Sequence, residues 1–80
     1  MIVKIVTLES VLIDREVKSV VVPGKSGRFE MLNNHASIVS LLTQGNIQVT
    51  DLNNKIENFN ITGGSVEMSE NNILILADTE

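Results

Sequence analysis

The chain has 80 residues, a formal net charge of -4 and no cysteine. That length holds one domain, residues 1-80, with no room for a second core. Six Lys and Arg set against ten Asp and Glu argue against nucleic acid as a partner, since its binding depends on neutralising phosphates, and two Phe with no Tyr or Trp remove the platforms on which bases stack. Without cysteine there is neither a disulfide nor a thiolate metal site, and the expected setting is cytoplasmic. No apolar run approaches the roughly 20 residues of a membrane helix. Met1 to Thr7 alternates as a strand does and lacks a leader's cleavage pattern, so it reads as the native start.

In the first predicted strand, Ile2 to Thr7, Val3, Ile5 and Thr7 share one face and Ile2, Lys4 and Val6 the other. Glu9-Ser10 reads as a turn, and Val11-Leu12-Ile13 as a short second strand ended by Asp14-Arg15. Val17 to Val22 is rich in β-branched residues that suit a pleated surface, and Pro23-Gly24 is expected to stop it. A loop carrying Lys25 and Arg28 follows, then a short apolar run from Phe29 to Leu32 and the corner Asn33-Asn34-His35.

Ala36 to Thr43 fits a strand or two turns of helix, and its shortness before Gln44-Gly45 favours the strand. Asn46 to Thr50 and Lys55 to Ile61 flank Asp51-Leu52-Asn53-Asn54, a turn of residues that tolerate positive φ, and so form a hairpin. Gly63-Gly64 allows a tight turn or bulge that side chains would block. Val66 and Met68 flank an outward Glu67. Ile73 to Leu76 is continuously apolar, which predicts a central strand covered on both faces. Roughly nine or ten short strands with regular turns predict an all-β fold, an antiparallel two-sheet β-sandwich.

The chemistry available to such a chain is limited. Gly24-Lys25-Ser26 resembles the end of a phosphate-binding loop, but Ser19 occupies the place of that motif's first glycine and no helix follows. His35 is the sole histidine, so a multi-histidine metal site and a Cys-His pair are both excluded; it reads as a loop histidine bonded to nearby backbone or as a partner contact. The carboxylates near the end, Glu67, Glu70, Asp78 and Glu80, lack the spacing of a calcium loop. No catalytic, cofactor-binding or metal-binding residue is assigned, and no small-molecule substrate. Lys25 and Arg28 put two cations on one loop of an acidic chain, a surface that could orient a partner.

Taken in order, Glu16 to Gly24 leading into Gly27-Arg28-Phe29, the His35-Ala36 corner, Gly45 before the Ile47 strand, Thr62-Gly63-Gly64 with Val66-Glu67-Met68, and Ile75-Leu76-Ala77-Asp78 resemble the N-terminal domain of the epsilon subunit of the F-type ATP synthase. The resemblance spans nearly the whole chain. It implies a non-catalytic β-sandwich in the central stalk, on the cytoplasmic face of the membrane and attached to that membrane only through the complex. There it would bind the gamma subunit and the ring of c subunits and pass rotation between them. Its residues imply a c-ring contact at Lys25, Ser26, Gly27, Arg28, Phe29, Glu30 and His35, and a gamma contact at Thr7, Leu12, Ser40 and Leu42.

Three departures stand out. The family usually has Pro-Gly before the histidine and Pro two positions after it, where this chain has Asn33-Asn34 and Ser37; asparagine's tolerance of left-handed angles predicts that the turn survives. Arg28 stands where some relatives carry an acid, which implies a compensating charge on the c subunit. Family members commonly continue into a two-helix C-terminal domain that can restrain hydrolysis, and this sequence stops at Ala77-Asp78-Thr79-Glu80. Either the natural subunit is short, and would then couple rotation without that restraint, or the sequence is one domain of a longer subunit. The alternative to the stalk reading is a free-standing β-sandwich that binds an unrelated protein, which neighbouring genes would distinguish.

Overall fold

The computed structural model describes all residues, 1-80, as eight strands and no helix. They are β1 (Ile2–Val6), β2 (Val11–Gly24), β3 (Gly27–Leu32), β4 (Ile38–Leu42), β5 (Gly45–Asp51), β6 (Ile56–Ile61), β7 (Gly63–Ser69) and β8 (Asn72–Asp78). Hydrogen-bonded neighbours run β1-β8-β7-β4-β2-β5-β6, with β3 on β2 and β1 also on β2.

The 14 residues of β2 hold the two layers of the sandwich together. Its first half, Val11 to Glu16, pairs with β1, which leads through β8 and β7 to β4. Its second half pairs with β5 on one side and β3 on the other, and its register shifts between Val17 and Ser19 as the strand passes from one layer to the next. The chain extents of 29 × 23 × 17 Å suit two sheets stacked about 10 Å apart.

The count is therefore eight strands, below the nine or ten expected. The Val11 and Val17 runs are one strand, because Asp14, Arg15 and Glu16 are extended rather than a turn. Arg15 is level with buried Val3 on β1 and so points to the inner side of its sheet. It lies at the open flank, where its Nη2 reaches Glu57 Oε1 of β6 at 2.6 Å, an ion pair joining the layers. Pro23 likewise does not end the strand. It sits opposite Arg28 in the β2–β3 hairpin, and its carbonyl accepts the Thr43 N–H at 2.9 Å, a role that needs no N–H of its own.

All ladders but one are antiparallel. β1 and β8 run parallel, which the rest of the chain between them permits, since a parallel pair needs only a long connection. The Ala36 to Thr43 segment is a strand, as expected, and β5 and β6 form the expected hairpin.

Inward side chains make one core of 17 apolar residues that includes Val3, Ile5, Val20, Val22, Met31, Ile47, Val66, Met68 and Ile75. No buried side-chain nitrogen or oxygen lacks a hydrogen-bond partner, so the core leaves no polar group desolvated at a cost. β8 does occupy an interior place, between β1 and β7. Its two faces differ, however: Ile73, Ile75 and Ala77 are buried while Leu74 and Leu76 are 38% and 52% exposed. The expectation of cover on both faces fails because nothing in this chain lies over the outside of that sheet.

Candidate partner-binding surfaces

The β2–β3 hairpin closes on Lys25 and Ser26, between the paired residues Gly24 and Gly27. Gly27 has φ 132, a conformation that side chains disfavour. The tip is tied back to β4, whose Leu41 carbonyl accepts the Lys25 N–H at 2.9 Å. Arg28 folds toward β5, donating from Nη1 to the Asn46 carbonyl at 2.6 Å, so its charge is oriented while its other N–H groups stay free. Phe29 turns inward against the core and Glu30 outward.

His35 lies at the other end of β3. Its N–H donates to the Leu32 carbonyl at 3.1 Å, and its ring Nδ1 is 2.7 Å from the Ala36 carbonyl. Since a carbonyl oxygen only accepts, Nδ1 is the donor in that contact. Five strand steps separate Gly27 from Leu32, about 16 Å, so the structure does not bring His35 together with Lys25, Ser26, Gly27 and Arg28. A single partner meets both ends only by lying along β3, over Arg28, Glu30 and Leu32.

The corner before His35 survives without Pro-Gly, as the tolerance of asparagine implied. Asn34 has φ 64 and Asn71, in the β7–β8 turn, φ 61. The two are bonded reciprocally: Asn34 N–H donates to Asn71 Oδ1 at 2.7 Å, and Asn71 Nδ2 donates to Asn34 Oδ1 at 3.3 Å. Two loops far apart in sequence thus form one corner.

The second expected set divides. Thr7 is half-buried, and its Oγ1 accepts the N–H groups of Ser10 at 3.1 Å and Glu9 at 3.3 Å, capping the turn between β1 and β2. Leu12 is exposed beside it, and both border a shallow hollow that also touches Leu8. Ser40 points inward and donates to the Leu41 carbonyl at 3.1 Å. Leu42 is a core residue, 6% exposed, and offers no side chain to a partner.

Missing from that set are the neighbours of Ser40 and Leu42 with opposite orientation. Val39, 75% exposed, and Leu41 lie on the outside of β4, and Leu74 and Leu76 lie on the outside of β8. With β7 between them, they form an apolar face that extends through Val6 to the fully exposed Leu8. The signal was present in the sequence: Ile73 to Leu76 and Ile38 to Leu42 are apolar at both parities, so whichever parity fills the core, the other leaves leucine and valine outside. A surface of this kind is a candidate interaction site.

The largest concavity, about 560 Å³, is open and lies beside Asn46, between the starts of β5 and β7 and the chain's last residues. Amides, hydroxyls and the Glu80 carboxylate line it, groups that can hydrogen-bond but that place no acid opposite a base. One carboxyl is tuned by local bonds. The Lys55 N–H at 3.0 Å, and the Asn53 N–H at 2.8 Å, donate to Asp51 Oδ1. Together with the Arg15 and Lys55 charges they hold the Asp51 carboxyl below its ordinary value of 3.8.

The profile of the family described as ATP synthase, delta/epsilon chain, β-sandwich domain matches residues 1–80. An ATP synthase epsilon chain from Campylobacter concisus is 40% identical over 75 residues, which cover 94% of this chain and 58% of that protein. One from Desulfitobacterium hafniense is 40% identical over 76 residues, with coverages of 95% and 57%. This chain therefore spans less than two thirds of the length of these relatives. Its fold matches a chain in the Euglena gracilis mitochondrial ATP synthase with a TM-score of 0.90 at 19% identity, covering 96% of this chain and 49% of the other. It also matches a chain in the central stalk and c-ring of the Tetrahymena thermophila enzyme with a TM-score of 0.80 at 17% identity, covering 98% and 63%. With a profile match over its whole length, this chain belongs to the family of the ATP synthase delta/epsilon chain β-sandwich domain.

Proposed function

We propose that this chain is a rotor element of an F-type ATP synthase, the β-sandwich that fixes the gamma subunit to the c-ring and has no catalytic step of its own. The observation that carries the reading is the apolar face of Val39, Leu41, Leu74 and Leu76, solvent-exposed in a domain whose relatives are epsilon chains. This face seats gamma, with Thr7 and Leu12 at its rim. The sandwich suits the task mechanically: a close-packed core with no unsatisfied buried polar side chain resists shear.

The c-ring contact uses the hairpin tip, Lys25, Ser26, Gly27 and Arg28, with Phe29 supporting it from the core, and continues along β3 over Glu30 toward His35. Arg28, held by the Asn46 carbonyl, meets an acidic group on the ring loops. No helix of the chain is long and apolar enough to cross a membrane, and membrane association comes through the ring. Kinship with epsilon chains takes the place of the alternative reading as an unrelated binding module.

Reconstitution tests this. Liposomes holding the cognate enzyme without its epsilon subunit are compared before and after this chain is added. Restored coupling of ATP hydrolysis to ion pumping is the expected result; coupling that is intact without the chain, or unchanged by it, contradicts the proposal.

A further inference from the structure

The apolar face carries one carboxylate in its midst. Glu67, on β7, stands directly between Val39 of β4 and Leu74 of β8 in the ladder register. In the next outward row, Ser65 stands between Leu41 and Leu76, which places those two leucines diagonal to Glu67, within reach of its side chain. Glu67 is exposed and enters no side-chain hydrogen bond, and the chain's one ion pair is elsewhere, between Arg15 and Glu57. The cation of this face, Lys4, lies beyond Leu74 on β1, two strand spacings or about 10 Å away. Asp14 is directly opposite Lys4 on its other side. Glu67 also forms the ridge between two shallow hollows. One, of about 330 Å³, reaches toward Lys4 and Asp14; the other, of about 360 Å³, reaches toward Ser37 and Val39.

A partner seated on the leucines and valines removes water from Glu67. An unpaired carboxylate stripped of water costs more than a neighbouring leucine returns on burial. No cation of its own chain pairs with it, and Lys4 stands directly opposite the Asp14 carboxylate, so the compensating charge has to come from the other side. We infer that Glu67 is a specificity-determining residue of this face: it selects a partner surface in which an Arg or Lys is set among apolar side chains. An arginine suits the place best, since its planar fork can engage both carboxylate oxygens while its stem lies on the flanking apolar groups. A purely apolar surface, or one with an acid there, is rejected. The inference rests on the reading that this face seats the gamma subunit.

The test is the affinity of purified cognate gamma for the wild-type chain and for Glu67→Gln, Glu67→Lys and Leu76→Asp, titrated at low and high salt. Circular dichroism melts establish that each variant is folded, which the exposure of both positions favours. Weakening by about 30-fold for Glu67→Gln, at least as much for Glu67→Lys, and a shallower salt dependence in both are expected, as for loss of one member of a desolvated charge pair. If Leu76→Asp weakens binding while Glu67→Gln does not, the face is right and the role of Glu67 is overturned. If neither weakens binding, the seat of gamma lies elsewhere and the inference falls with it.

Discussion

Replacing Gly64 with alanine should destabilise the sandwich by about 3–5 kcal/mol, through two costs that can be separated. The residue has φ +144, a conformation that costs a residue with a side chain roughly 1–3 kcal/mol. An added Cβ would also lie 2.2 Å from the Leu76 carbonyl oxygen and 3.1 Å from Ala77 Cα, both main-chain atoms that cannot swing aside. Relief requires β7 and β8 to separate near their Gly64–Ala77 pair, losing ladder bonds worth about 1 kcal/mol each. Against a total stability of roughly 4–12 kcal/mol for a domain of this size, that leaves a marginal fold. Two other glycines isolate the terms. Gly27 has φ +132 with nothing within 4 Å of the added atom, so alanine there costs the conformational term alone, about 1–2 kcal/mol. Alanine at Gly63 meets only Asp78 Oδ2 at 3.6 Å and the Leu42 carbonyl at 3.7 Å, ordinary contacts, and should change stability by less than about 0.5 kcal/mol. Urea unfolding of the three variants gives the order directly. A Gly64→Ala protein within 1 kcal/mol of wild type, or one more stable than Gly63→Ala, refutes the reasoning.

Other expectations follow from single contacts. The Asp51 carboxyl is held below 3.8 by the Lys55 and Asn53 N–H groups, so its stabilising effect is fully present above that pH and is lost as pH falls through the lowered value. Asp51→Asn should therefore flatten the acid limb of a pH-stability curve; an unchanged limb contradicts the assignment. Arg28→Glu should weaken assembly with the cognate c-ring by about 10-fold, the scale of reversing one exposed ion pair, while leaving the melting curve close to wild type; unchanged assembly in reconstitution removes Arg28 from the contact. Asn71→Gly keeps the left-handed turn and deletes the amide, so hydrogen exchange at the Asn34 N–H should accelerate by about 5- to 10-fold, the worth of one hydrogen bond. Unchanged exchange there means that the two loops are not held together by this pair.

The strands were legible because side-chain period and turn chemistry agree along most of the chain, as at Asn46 to Thr50 with Asp51 to Asn54 after it. Where they conflicted, tertiary context decided. Asp14-Arg15-Glu16 looks like a break because three charges rarely continue a buried strand, yet at the flank of the sandwich each can reach water or a partner, and Arg15 reaches Glu57. Gly63-Gly64 was recognisable as a place where side chains are barred, but only Gly64 bears the restriction, imposed by a β8 carbonyl that no local pattern encodes. Orientation was least legible in β4. The resemblance implies a partner contact at Ser40 and Leu42, whereas Val39 and Leu41 are the exposed apolar residues of this strand; in a strand, a choice of parity moves every side chain to the other face. Lys25 and His35 are near in sequence but not in space, because the extended strand β3 puts them at opposite ends.

The most direct measurement is the footprint of the cognate gamma subunit on this chain, by amide hydrogen exchange or NMR shift mapping of the purified pair. A stoichiometric complex whose changes centre on β4, β7 and β8, with Val39, Leu41, Leu74 and Leu76 most affected and the outer side of β5 and β6 unchanged, is the result expected of a rotor element. A folded, active gamma that leaves this face untouched contradicts the account.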